Sequence, residues 1–199
     1  MVGSLSEGDF ADNEHEGHRG MTVSEIHSLS KEVGIAAKPN IALLHAGTND
    51  LANRDDPNPQ ASIKDLEILI DDILNQSSKV CVFVAALIPC KDDTQRVLIR
   101  EYNELVKELV QKMVSNDKRV VLVDQYGLSR GNDLKDNLHP NPKGYEKMAQ
   151  KWYDAIVAAD AKGWIQKTET PVIKTLKERS DGGRLDIDNF LDSDGEEVA

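Results

Sequence analysis

Three short apolar runs, separated by longer amphipathic stretches, constrain the fold of this chain more than any other feature. The runs are Asn40 to His45, Lys79 to Ile88 and Arg119 to Asp124, and each is rich in Val, Ile or Leu. A nearly continuous apolar run of this length is typical of a strand that is covered on both faces. Helical patterns lie between the runs, so the sequence predicts βαβ units and a parallel sheet in an α/β fold.

Three helices are predicted around these strands. Apolar residues fall at helical spacing after Ser62 and again after Thr94, and a last helix has Pro142 in its first turn. The apolar positions are Ile63, Leu66, Leu69, Ile70, Ile73 and Leu74 in the first helix, Leu98, Tyr102, Leu105, Val106, Leu109, Val110 and Met113 in the second, and Tyr145, Met148, Trp152, Tyr153 and Ile156 in the third.

The length of 199 residues suits one domain with a single core. We expect that domain to span residues 1–165 and an acidic, disordered tail to span residues 166–199. Ser180 to Ala199 holds seven acidic residues and one basic residue, a composition that buries too little apolar surface to offset the entropy of ordering. A small cluster of Ile187, Phe190 and Leu191 leaves a partner-binding motif in the tail as an alternative.

The charge balance disfavours anionic partners. The chain has 24 Lys and Arg against 35 Asp and Glu, a net charge of −11, and such a chain would be repelled by a phosphate backbone or an anionic membrane. No apolar run is long enough to cross a bilayer, and Met1 to Phe10 has no apolar signal-peptide core. We therefore expect no nucleic-acid or membrane partner. Of the two cysteines, Cys81 is predicted to be buried and Cys90 to be a loop thiol.

Polar residues follow the predicted strands, at the sheet edge where α/β proteins build their sites. Asp136 and His139 lie three residues apart in a loop before the last helix. A carboxylate at this spacing can hydrogen-bond an imidazole and fix its tautomer, as in an oriented general base. The alternative is a surface loop in which these residues cap the helix.

The segment Gly47-Thr48-Asn49-Asp50 closes the first predicted strand. The side chain of Asn49 offers an N–H donor at the strand end, the kind of group that stabilises a developing oxyanion. An Asx turn is the alternative, and on local grounds it is favoured.

Taken together, these two segments resemble blocks III and V of the SGNH (GDSL-type) hydrolases, in the same chain order and at a similar separation. Further segments resemble carbohydrate esterase family 3 acetyl xylan esterases: Val2-Gly3-Ser4, Asp12 to Gly20, Leu87-Ile88-Pro89 and Val121 to Gln125. The resemblance covers about residues 1–160. It implies a flavodoxin-like three-layer α/β/α fold and a serine-type carboxylic ester hydrolase that acts on a small-molecule or polysaccharide ester, such as acetylated xylan, without a cofactor.

The resemblance also assigns roles to residues. His139 would be the general base, oriented by Asp136, and Asn49 and the backbone N–H of Gly20 would form the oxyanion hole. Asp50 would order the turn, and His45 would be structural. His15 and His18, among Asp12, Glu14 and Glu16, leave a metal site as an alternative, although the sequence contains no closed ligand set and none is predicted.

The nucleophile of the superfamily has no counterpart in this sequence. The family carries a Gly-Asp-Ser motif at the end of its first strand, whereas Gly8-Asp9 is followed here by Phe10. Ser4 and Ser6 do not follow a buried strand. We therefore expect a fold without the family's N-terminal strand or strands, near-inactivity of this chain by itself, and a longer, secreted form that carries the serine. The alternatives are a shortened pseudoenzyme, or a carbohydrate-binding module that retains the cleft.

Overall fold

The computed structural model describes residues 1–52, 56–128 and 130–168. Within these residues, β1 (Leu5–Ser6) and β2 (Glu14–His15) form a small antiparallel pair. A parallel sheet has the order β3-β4-β5, with β3 at Ile41–Leu44, β4 at Cys81–Ala85 and β5 at Val120–Val123. These three strands lie inside the three apolar runs, so the predicted parallel sheet is confirmed.

The helices have the bounds α1 (Val23–Ser30), α2 (Thr48–Ala52), α3 (Pro59–Gln76), α4 (Asp93–Ser115) and α5 (Pro142–Ala161), and a π-helical turn at Lys31–Ile35 continues α1. The three predicted helices are therefore present. Two of them begin earlier than predicted because polar side chains cap them: Asn58 accepts the N–H of Ala61 at 3.1 Å, and Asp92 accepts that of Gln95 at 2.7 Å.

The sheet is the middle of three layers. Side chains of β4 alternate between its faces: Val82 and Val84 belong to the main core with buried residues of α3 and α4, whereas Phe83 and Ala85 pack with α5. All five residues of β4 are buried. The predicted α/β/α arrangement is therefore correct for the described residues.

One face of β3 differs from the prediction. The apolar run suggested cover on both faces, yet Leu43 is 47% exposed. Its neighbours Ala42 and Leu44 face the main core, and Ile41 packs toward the α5 side. Among the described residues β3 pairs with β4 alone, so its other edge is open and nothing covers Leu43 from that side. This open edge agrees with the expected fold without N-terminal strands.

Glu16 holds the first residues of the chain against the rest. Its carboxylate accepts the backbone N–H of Ser4 at 2.9 Å and the Ser4 hydroxyl at 2.8 Å, and it also accepts the N–H of Gly34 at 3.0 Å. His18 Nε2 lies 2.8 Å from the same carboxylate. A single side chain thus joins the segment around β1 to the π-helical turn that follows α1.

Both cysteines are buried in this structure. Cys81 is buried as predicted, but Cys90 is also fully buried, because it packs in the main core and its Sγ donates to the carbonyl of Asp92. In the described part of the chain no helix has the length and apolar content to cross a membrane. Residues 169–199, which include most of the predicted tail, lie outside the described ranges.

Candidate functional site

The carboxyl ends of β3 and β4 lie at one edge of the sheet, since the two strands are parallel. Gly47 follows β3 with φ +118, and a β-carbon there would come within 2.5 Å of the Tyr102 ring. The Tyr102 hydroxyl donates to the carbonyl of Ala46 at 3.0 Å. Helix α4 therefore fixes the path of the chain into Thr48 and Asn49, and glycine is required by both conformation and space.

Asp136 and His139 make the contact that their spacing predicted. His139 Nδ1 lies 3.0 Å from Asp136 Oδ2 and 3.2 Å from Oδ1. The side chain of His139 is 66% exposed, so its opposite face is open to an incoming molecule. The helix-capping alternative is wrong for this pair, because Asn141 is the residue that caps α5, by accepting the N–H of Gly144 at 3.0 Å.

The carboxylate of Asp136 is held as an anion. Its Oδ1 accepts the backbone N–H of His139 at 2.7 Å and that of Leu138 at 2.8 Å. These hydrogen bonds, together with the contact to the His139 ring, hold the pKa of Asp136 well below its usual value of 3.8. An ionised carboxylate at Nδ1 favours the tautomer with a proton on Nδ1, which leaves Nε2 able to accept a proton.

A further contact joins this turn to the sheet edge. The N–H of Lys91, in the segment after β4, donates to the carbonyl of Asn137 at 2.8 Å. Leu138 packs against the main core, as does Ala46 at the end of β3. The turn that carries His139 therefore lies at the same edge of the sheet as the segment that leads to Asn49.

Asn49 and Gly20 are neighbours in space although 29 positions separate them. Asn49 Nδ2 donates to the carbonyl of Met21, the residue after Gly20, at 2.9 Å. Gly20 has φ +77, with open space where a β-carbon would be. The Asx-turn alternative does not describe this contact, because the Asn49 amide joins a distant segment while Thr48–Ala52 forms α2. The structure thus brings together the two residues that the resemblance assigned to one oxyanion hole.

Asp50 has a structural role that the sequence did not reveal. It is buried, and its Oδ2 accepts the N–H of Val23, the first residue of α1, at 3.1 Å. It therefore ties the helix after Gly20 to the loop after β3, rather than only ordering its own turn. Asp133, fully buried below the His139 turn, was also missed. The partners Val23 and Lys147 lie 27 and 14 positions away from these carboxylates, so these contacts do not follow from a local spacing in the sequence.

The remaining sequence candidates lie elsewhere. The Ser4 hydroxyl donates to Glu16, and Ser6 is exposed in β1. His15 accepts the N–H of Gly17 at 3.0 Å, and in the described ranges no three His, Cys, Asp or Glu side chains are grouped closely enough to hold a metal ion. His45 lies just after β3 and is an exposed residue.

The sequence of this chain is similar to those of known acylhydrolases and esterases. Residues 2–152 match the GDSL-like lipase/acylhydrolase family. A multidomain esterase of Ruminococcus flavefaciens is 30% identical over 164 residues, which are 78% of this chain. The match covers only 20% of that much longer protein.

Solved structures give the same indication. A family 3 carbohydrate esterase of Clostridium thermocellum superposes with a TM-score of 0.64 at 30% identity, over 79% of this chain and 76% of that one. An acetyl esterase with one serine replaced by alanine, crystallised with acetate, superposes with a TM-score of 0.62 at 25% identity, over 74% of this chain and 72% of that one. The predicted fold and the predicted resemblance are both confirmed. The chain belongs to the GDSL-like lipase/acylhydrolase family.

Proposed function

We propose that this chain carries the acid-base half of a serine esterase site that removes acetyl groups from a carbohydrate. The contact between Asp136 and His139 is the observation that carries the proposal. In this role Asp136 holds a proton on Nδ1, and Nε2 accepts the proton of a serine hydroxyl as the oxygen attacks the ester carbonyl. His139 then gives that proton to the leaving alcohol.

The tetrahedral intermediate needs donors for its oxyanion. Asn49 and the backbone N–H of Gly20 are proposed for this role, and their closeness, through the bond from Asn49 to Met21, supports it. Water then attacks the acyl-serine, with His139 again as the base, and acetate leaves. No step in this sequence calls for a metal or an organic cofactor.

The serine itself is proposed to lie on a strand that pairs with the open edge of β3, in a longer form of the protein. Two observations support this proposal. In the described ranges no serine hydroxyl is hydrogen-bonded to His139, and Ser4 is held by Glu16. The open edge of β3 leads toward Asn49, so a strand that runs parallel to β3 would end near the proposed oxyanion donors.

The substrate class rests on the relatives. An acetyl esterase and a family 3 carbohydrate esterase are both structural neighbours at 25% identity or more. The exposed His139 fits a large substrate, because an acetyl group on a polymer can reach it without entering a closed pocket. Acetylated xylan is therefore the substrate to test, beside the small ester p-nitrophenyl acetate.

The test compares acetate release by the 199-residue chain and by a version extended upstream to a Gly-Asp-Ser motif. We expect turnover by the extended protein only, and a loss of kcat on the order of 10⁴-fold or more on His139→Ala. His27→Gln is the matched control, because His27 also pairs with a carboxylate, 2.6 Å from Asp72, but between α1 and α3. Unchanged turnover in His139→Ala would overturn the proposal.

One further function is favoured by a specific observation. The absence of a hydroxyl at His139 in the described residues suits a module that binds acetylated carbohydrate without hydrolysing it. Retention of acetylated xylan by the 199-residue chain, with no acetate release even from the extended form, would favour binding over catalysis.

A further inference from the structure

The loop that carries His139 closes on itself below the side chain. Leu134 and Pro140 form an isolated antiparallel bridge. On either side of the bridge, the N–H of Lys135 donates to the carbonyl of His139 at 2.8 Å, and the N–H of Asn141 donates to that of Asp133 at 2.9 Å. Asp136 and His139 thus lie at the tip of a small hairpin whose base is Asp133.

The base of this hairpin is fixed to α5 by a buried ion pair. The side chain of Asp133 is fully buried, and its two carboxylate oxygens accept Lys147 Nζ at 2.8 and 2.7 Å. The packing is close: a β-carbon at Gly144 would overlap the carbonyl oxygen of Asp133. The Lys147 side chain is half exposed, so only one partner of the pair is fully removed from water.

We propose that Asp133 and Lys147 are positioning residues for His139, and that their ion pair sets the place of the Asp136–His139 turn relative to the sheet edge. This inference rests on the proposed role of His139 as general base. Neither residue touches the reacting atoms, and both act through the hairpin.

The physical argument begins with the cost of burying a carboxylate. An ion pair with a buried carboxylate adds little net stability compared with apolar packing, because burial costs hydration, here mainly that of Asp133. Removal of the Lys147 ammonium takes a charged partner from the buried Asp133 carboxylate, and a buried carboxylate that loses such a partner moves toward water or binds a proton. The backbone of Asp133 pairs with Asn141 at the base of the hairpin, so a shift of Asp133 toward water would move that base and the turn that carries Asp136 and His139.

The second attachment of the turn explains why such a shift would stay local. The N–H of Lys91 holds the carbonyl of Asn137 at the tip, while Asp133 holds the base. With the Lys147 contact removed, the base of the hairpin would move relative to the Lys91 contact, and the turn between these two attachments would change shape. The two N–H groups that Asp136 accepts, from Leu138 and His139, would then lose their alignment.

The test uses Lys147→Met in the full chain. We expect amide hydrogen exchange of Leu138 and His139 to accelerate at least tenfold, with the amides of β4 unchanged, and the His139 Nδ1 proton signal to broaden or shift. Lys147→Arg should restore both readouts because it keeps the charge. Lys143→Met, at an exposed lysine in the first turn of the same helix, should behave as the unmodified chain.

Two results would overturn the inference. One is unchanged exchange of Leu138 and His139 in Lys147→Met, and the other is an acceleration shared equally by β4, which would mean a general loss of stability. If Lys147→Met fails to fold, Lys147→Gln is measured with the same two criteria. Amide exchange measures the structure of the turn and does not depend on esterase activity. An inactive site would therefore contradict the proposed function without changing the outcome of the exchange experiment.

Discussion

Leu43 and Phe83 lie opposite each other on β3 and β4, yet Leu43 is 47% exposed whereas Phe83 is fully buried. Both side chains point to the face of the sheet on which α5 packs. Phe83 belongs to the apolar cluster that includes Trp152 of α5, whereas Leu43 does not. The side chains of α5 therefore cover this face of the sheet at β4 but not at Leu43 of β3. The open edge of β3 and the uncovered Leu43 therefore form one surface.

Replacement of Phe83 or of Leu43 by alanine should lower the free energy of unfolding by very different amounts. Phe83→Ala should lower the free energy of unfolding by about 3 to 5 kcal/mol, since it opens a cavity in a closed core. Leu43→Ala should cost no more than about 1 kcal/mol, because half of its side chain already contacts water. Urea unfolding measures both values. Equal costs would mean that another segment covers Leu43 in solution.

The same surface predicts self-association. An unpaired strand edge beside an exposed apolar side chain is a template for pairing with another chain. Leu43→Lys should reduce association at high protein concentration, measured by sedimentation velocity, because the charge opposes pairing at the edge. Val97→Lys is the control, since Val97 is 63% exposed but lies on α4. A similar reduction in both variants would show that added charge alone, rather than the edge, controls association.

Alanine substitutions at three glycines would distinguish the cost of backbone strain from the cost of steric overlap. Gly131→Ala should be neutral within about 0.5 kcal/mol, because the site has open space and no positive φ. Gly20→Ala meets open space but has φ +77, so it should lose about 1 kcal/mol or more from backbone strain alone. Gly47→Ala combines φ +118 with overlap of the Tyr102 ring and should lose the most. Thermal unfolding would give this order, and a Gly47 variant as stable as the Gly131 variant would contradict it.

The features of this fold that depend on residues close in sequence could be predicted from the sequence. Apolar runs located the three parallel strands, and the three-residue spacing of Asp136 and His139 located their contact because it needs only one turn of chain. Polar contacts across long separations left no comparable signal. Neither Asp133 with Lys147 nor Asp50 with Val23 falls at a spacing that a helix or a strand would mark.

Some failures have a different cause. The strands β1 and β2 contain two residues each, too few for an alternation to be recognised. Cover of Leu43 was predicted because an apolar run reports the composition of a strand and not which neighbours are present. The apolar run therefore indicated a buried strand at β3, whereas the edge that is open among the described residues was expected only from the resemblance, whose N-terminal strand has no counterpart in this sequence.

The anionic state of Asp136 predicts how the His139 turn responds to acid. A carboxyl group whose pKa is lowered on folding contributes stability that is present above its unfolded pKa, near 3.8, and that is lost as the pH falls through the lower folded value. The turn should therefore stay intact from pH 7 down to at least 3.8. The amides of Leu138 and His139 bind the carboxylate, so their chemical shifts should show no transition centred on 3.8, and the Asp136 carboxyl carbon should titrate below it. Asp136→Asn is the control, because it should shift both amides already at pH 7 and remove the acid transition. A carboxyl carbon that titrates with a midpoint at 3.8 would mean that the two backbone hydrogen bonds do not hold the anion in solution, and the orientation of His139 would then need another cause.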